Sequence, residues 1–124
     1  PTARRLPPAR RVEDVQWTRS RGGTRVTITT DGRIGRDRVS ELKLGGEQPR
    51  LVLRLRGIAE PFRAERLAVA SPELLQIRIG YHPAATLEAS ELHVVLDLAS
   101  PRAARIGDLE VLDGRRLEVL VGLP

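Results

Sequence analysis

Aliphatic and polar residues alternate in short runs along nearly the whole chain. Val26 and Ile28 alternate with Arg25, Thr27 and Thr29, the two-residue period of a strand with one buried and one solvated face. Leu51, Leu53 and Leu55 alternate with Val52, Arg54 and Arg56, and Val94, Leu96 and Leu98 with His93, Val95 and Asp97. Leu75, Ile77 and Ile79 alternate in the same way with Gln76 and Arg78. In each run the aliphatic row is expected to face inward. This patterning predicts strands at 12–17, 24–30, 39–44, 51–55, 74–80, 92–98, 108–112 and 116–121.

Turn signals separate these runs. Arg21-Gly22-Gly23, Asp31-Gly32, Gly45 to Pro49 and Tyr81 to Ala85 read as turns or loops, because Gly, Asp and Pro supply backbone geometries that strands exclude. Asp113-Gly114-Arg115 is a hairpin signal, since Asp-Gly tolerates the positive φ angles of primed turns. Residues 33–38 are charged and irregular. Residues 61–72 are undecided: Phe62–Ala68 fits two turns of helix, and 67–69 fits a short strand. Frequent turns between short alternating strands point to an all-β sandwich or barrel and away from a βαβ sheet.

The pattern also repeats. The segment 25–30, 39–44, 51–55 has a counterpart in 93–98, 106–112, 117–121, with Val26 and Val94 68 residues apart and Leu51 and Leu117 66 apart. Self-similarity at a near-constant offset implies two copies of one β-unit, neither able to bury its apolar face alone. The expected architecture is a β-sandwich of two similar, internally duplicated sheets. Residues 1–11, with three prolines and four arginines, read as a linker, and 12–124 as a single domain.

At 124 residues and 40% hydrophobic content the chain can bury a substantial core. Trp17, Phe62 and Tyr81 are its only aromatics, so that core must be aliphatic. Base stacking on single-stranded nucleic acid is poorly served, and no nucleic-acid partner is expected. The net charge is +5, carried almost wholly by arginine, with Lys43 the one lysine. Arginine contacts carboxylates and phosphates through two parallel bonds, so an anionic partner fits, although scattered surface charge explains many such residues. Cysteine is absent, which removes disulfides and thiol chemistry and leaves the compartment open. No apolar run approaches the ~18 residues of a membrane span. The chain begins at Pro1 and has no methionine. It therefore reads as a processed protein or a fragment, and the lack of a leader says nothing about export.

Catalytic chemistry finds little purchase, and no enzyme activity and no cofactor are expected. No Gly-x-Ser-x-Gly elbow supports a serine nucleophile, and Gly22-Gly23 and Gly45-Gly46 precede strands instead of a phosphate-binding helix. Glu13 and Asp14 are neighbours in a strand and point to opposite faces. His82, in a loop, and His93, on a polar strand face, lie in different expected elements, so ordinary exposure is preferred over a metal site. What remains is surface: outward Arg25, Arg54 and Arg56 in the first unit, and His93 and Asp97 with Arg78 in the second.

At these residues the chain resembles the AMIN domain, the non-catalytic module found N-terminally in periplasmic N-acetylmuramoyl-L-alanine amidases and in type IV pilus secretins. The resemblance rests on Pro49-Arg50-Leu51-Val52-Leu53-Arg54-Leu55-Arg56-Gly57, Ile77-Arg78-Ile79-Gly80, His93-Val94-Val95-Leu96-Asp97-Leu98 and the closing strand Leu117–Val121. It covers 11–122. Arg54 stands where the family pattern has aspartate, and His93 where arginine often opens the strand, which puts an unchanged ligand in doubt. The resemblance implies a sandwich of two similar sheets, a periplasmic location in a Gram-negative envelope, and targeting through peptidoglycan or an envelope protein.

The candidate ligand-binding residues are Arg25, Arg50, Arg54, Arg56, Arg78, His93 and Asp97. For each there is a plainer role: a solvated face for Arg54 and Arg56, a loop-to-strand anchor for Arg50, and a cross-strand ion pair for Asp97. The alternative function is a protein-interaction module in a pilus or secretin assembly, docking through a strand edge.

Overall fold

The computed structural model describes residues 6–99 and 105–122. Its strands are β1 (Val12–Ser20), β2 (Gly23–Thr30), β3 (Val39–Leu44), β4 (Arg50–Arg56), β5 (Arg66–Ala68), β6 (Leu74–His82), β7 (Glu91–Leu98), β8 (Arg105–Ile106), β9 (Glu110–Leu112) and β10 (Arg116–Gly122). They form two antiparallel sheets. In one the order is β1-β2-β10, with β8 and β9 both along the far edge of β10; in the other it is β3-β4-β7-β6-β5. This is the all-β, two-sheet sandwich that the alternation predicts.

The two repeats do not each make a sheet; they interleave. β2 belongs to the first sheet, but β3 and β4 of the same repeat belong to the second. In the later repeat β7 joins the second sheet while β8, β9 and β10 join the first. Equivalent strands occupy equivalent places, and the registers correspond. Val26 of β2 lies opposite Val119 of β10, as Val94 of β7 lies opposite Leu53 of β4. The correspondence extends to β1 and β6, which the repeated sequence pattern does not reach. Each carries a bulge at the same place, after Val12↔Thr30 in one and after Leu74↔Leu98 in the other.

That second bulge overturns one expectation. Leu75 is expected inward, but it is the extra residue between Leu74↔Leu98 and Gln76↔Asp97 and is 53% exposed, while Leu74 is fully buried. An inserted residue shifts the two-residue period by one, so Leu74 takes the inward position. Three other readings change. Residues 61–72 form no helix: Arg66–Ala68 pairs with β6, and ladder hydrogen bonds stabilise three residues better than an isolated two-turn helix would. Tyr81 and His82 are not loop but the end of β6, paired with Leu92 and Glu91. The strand expected at 108–112 is shorter, Glu110–Leu112. In the turn after it Asp113 and Gly114 have φ of 56° and 70°, the positive values expected there.

The core between the sheets is one aliphatic cluster. Val26, Ile28, Leu117, Val119 and Val121 from the first sheet share it with Leu51, Leu53, Leu55, Ile77, Leu92, Val94 and Leu96 from the second. Trp17, Phe62 and Tyr81 only flank it, partly buried.

The stretch before β1 is fastened down at its described end. Arg33 N–H donates to the Pro7 carbonyl at 2.7 Å and Ala9 N–H to that of Arg33 at 2.8 Å. Asp31 accepts from the Arg10 and Arg11 amides at 2.8 and 3.0 Å. The Arg38 guanidinium then ties this stretch to the end of β4, donating to the carbonyls of Ala9 (2.7 Å), Arg56 (2.7 Å), Gly57 (3.1 Å) and Arg33 (3.2 Å). Gly57 has φ of 77°, and a Cβ there would lie 2.6 Å from Arg38 Nη2, so the clamp needs glycine at that position. Residues 1–5 of the expected linker lie outside the described residues.

The bulge makes a prediction that reverses the simple alternation. Leu74→Ala should lower unfolding free energy by about 2–5 kcal/mol, as for other buried leucines. Leu75→Gln should change it by less than about 0.5 kcal/mol. Urea denaturation of the two variants decides it, and the opposite ranking would mean that β6 is not bulged.

Candidate functional site

Alternation along each strand of the second sheet sends every second residue to the outer face, and pairing sets their neighbours. β4 presents Arg50, Val52, Arg54 and Arg56; β7 presents Glu91, His93, Val95 and Asp97; β6 presents Gln76, Arg78, Gly80 and His82. The register places Arg50 opposite Asp97, Arg54 opposite His93 and Arg56 opposite Glu91. On the other side of β7, Gly80 lies opposite His93 and His82 opposite Glu91. Six expected site residues, Arg50, Arg54, Arg56, Arg78, His93 and Asp97, thus share one face. Arg25 does not join them. It sits on the outer face of the first sheet, 2.9 Å from Glu118 Oε1, with the Thr27 hydroxyl donating to the same carboxylate at 3.4 Å.

Within this face the charged groups differ in how far they are engaged. Arg78 holds Asp97 through two bonds, Nε to Oδ2 at 2.7 Å and Nη2 to Oδ1 at 2.9 Å, and the Gln76 amide donates to Oδ2 at 2.8 Å. This is the cross-strand ion pair offered as the plainer role of Asp97. Partial burial works to raise the pKa of Asp97. The hydrogen bonds from Arg78 and Gln76, with the positive charges of Arg78 and Arg50, outweigh it and leave the carboxyl below its ordinary value. The hydrogen bond to Asp97 in turn raises the pKa of Arg78. Arg56 turns back to the Asp37 carbonyl.

Arg50 and Arg54 differ from these. Among the described residues neither guanidinium makes a hydrogen bond or an ion pair, and Arg54 Nε is buried without a partner. Between them along β4 stands Val52, only 8% exposed although it faces outward. Its cross-strand neighbours are Leu42 and Val95, so two unengaged cations bracket a small apolar strip.

The histidines lie in different elements, as expected, but are brought together: because β6 runs on to His82, that ring stacks on His93 with centroids 3.9 Å apart and planes at 29°. His93 Nε2 lies 2.7 Å from Glu91 Oε1. Beside the stack a groove of ≈ 830 Å³ crosses β6 to Arg66 and the Phe62–Arg63 segment. Arg66, Gly80 and His82 are members of this face that were not among the candidate ligand-binding residues, His82 having been weighed only as a metal ligand. One signal was available for two of them: the period of two continues from Ile79 through Tyr81, which keeps Gly80 and His82 on the outer row.

The described residues contain no group of three His, Asp or Glu side chains placed to hold a metal ion, and no helix among them is long and apolar enough to cross a membrane. No protein family, curated protein or solved structure matches the chain.

The depressed pKa of Asp97 sets the sign of an acid effect. A carboxyl held below its unfolded value stabilises the fold above the unfolded pKa of about 3.9 and ceases to do so as pH falls through the folded value. Asp31 acts in the same sense: burial opposes its ionisation, but the Arg10 and Arg11 amides prevail and its pKa is lowered. Stability of the wild-type protein should therefore fall between about pH 5 and pH 2. Asp97→Asn should be less stable at neutral pH and lose less over that interval. Urea melts across the pH series test this; parallel curves for the two proteins would remove Asp97 from the acid response.

Proposed function

We propose that this domain is a non-catalytic targeting module of a larger periplasmic protein, and that it binds peptidoglycan through the outer face of the β3-β4-β7-β6-β5 sheet. The observation that carries the reading is the unengaged pair Arg50 and Arg54 on either side of the Val52 strip. Peptide stems of peptidoglycan bear carboxylates, and a planar guanidinium not already held by an internal hydrogen bond can meet one with two parallel, charge-assisted bonds. The apolar strip between them suits the aliphatic parts of a polymer lying across the strands.

The resemblance to the AMIN module supports the same reading in two ways. The fold has the two similar sheets that it implies. Three of the four segments that carry the resemblance, 49–57, 77–80 and 93–98, fall on β4, β6 and β7, strands that build this face, and the fourth, 117–121, falls on β10 of the other sheet.

A second reading has its own observation. β3 has a hydrogen-bonded neighbour on one side only, and most of its residues are exposed, Leu42 to 39%. An unbroken open edge of this kind can accept an added strand, as a protein-interaction module of a pilus or secretin assembly would require.

The two readings separate in one experiment. Incubated with purified sacculi, the wild-type domain should pellet, less so as salt rises. Arg50→Glu combined with Arg54→Glu should weaken binding at least about tenfold, equivalent to about 1.4 kcal/mol. Glu41→Gln, at the open edge but opposite inward Leu53 and so off this face, should leave pelleting unchanged. Failure of the wild-type domain to pellet at any salt concentration would overturn the peptidoglycan reading.

A further inference from the structure

The groove beside the arginine row runs over a glycine. Gly80 occupies an outward position of β6 between Arg78 and His82, and the missing side chain opens a dip in the sheet face. The backbone does not demand glycine there: its φ is not positive, and a Cβ would touch only His82 Nε2, at an ordinary 3.6 Å. Glycine inside a strand weakens it, and often marks a place where another molecule comes close.

The walls around this dip are chemically specific. On one side stands the His82–His93 stack. On another is Phe62, with the Arg63 guanidinium 4.5 Å from its ring centroid. On the third side Arg66 of β5 lies directly opposite Arg78, a like-charge placement that destabilises a sheet unless it is answered. Asp97 answers Arg78, Asp14 engages Arg63 at 3.0 Å, and Glu91 lies against His93. Among the described residues no ion pair or hydrogen bond engages Arg66. Glu65 is the remaining acid at the rim.

We propose that this groove is a subsite for a carboxylate-bearing ligand group, with Arg66 holding the carboxylate and the imidazole stack and Phe62 flanking the part of the ligand next to it. The inference rests on the preceding functional reading only for the source of the carboxylate, a peptide stem. A carboxylate from an acidic protein segment would satisfy the same chemistry.

Three soluble probes separate these sources: a disaccharide-peptide fragment with free carboxylates, the same fragment fully amidated, and triglutamate. Each is titrated into the domain while the imidazole resonances of His82 and His93 are followed by NMR. The free-acid fragment should shift both rings, and the amidated one should bind at least tenfold more weakly. Arg66→Gln, which removes the cation, and Gly80→Leu, which fills the dip, should each weaken binding of the free-acid fragment at least tenfold. Because Gly80→Leu alters a strand interior, Arg66→Gln is the deciding variant if the other unfolds. Equal binding of amidated and free-acid fragments, or an unchanged affinity in Arg66→Gln, would overturn the proposal, as would silence of the histidine resonances with every acidic probe. If sacculi fail to pellet yet triglutamate shifts the rings in an Arg66-dependent way, the peptidoglycan reading falls and the carboxylate subsite stands. If sacculi pellet through Arg50 and Arg54 while the groove variants change nothing, only the subsite falls.

Discussion

The rest of this structure depends on two strand pairings, β2 with β10 and β4 with β7. Each joins strands from different repeats, and each sits near the middle of its sheet. With Val26 opposite Val119 and Val94 opposite Leu53, both aliphatic rows face the space between the sheets. A slip of one residue in either pairing would send a whole row into water. The same register that protects the core also composes the outer face. Arg54 meets His93, and Arg50 meets Asp97, because Leu53 meets Val94.

Duplication therefore constrained the inside of the molecule and left the outside free to differ. The inward rows of equivalent strands are interchangeable aliphatics, and even the bulges in β1 and β6 correspond. The outward rows are not interchangeable. On the first sheet Arg25 is paired with Glu118 and stands between Thr18 and Leu120. On the second, Arg50, Arg54 and Arg66 stay unengaged among the described residues, and a glycine opens a groove beside a histidine stack. The proposed binding features lie on one of two equivalent faces.

Alternation within a single strand made much of this legible from sequence. It identified the strands on which Arg50, Arg54, Arg56 and Asp97 lie and the outward direction of most of them. What it could not carry is any property that belongs to two strands at once. The approach of His82 to His93 and of Arg66 to Arg78 depends on register, which no single run encodes. Leu75 misled because a bulge breaks the period without altering composition. Arg38 escaped notice for another reason: a guanidinium that gathers four carbonyls from three segments looks, in sequence, like any arginine in an irregular stretch.

The interleaving of the repeats bears on how the chain acquires its fold. β2 gains its first neighbour, β1, through a two-residue hairpin, but its second, β10, arrives only after the polypeptide has traversed the entire opposite sheet. Closing so long a loop costs entropy before any contact offsets it, so the β2–β10 pairing carries a larger closure cost than the β1–β2 hairpin. Without the later half, β2 and β4 are open edges, each complementary to a strand that the later half supplies. The topology is that of two similar halves intertwined as the subunits of a strand-exchanged dimer are, within a single polypeptide.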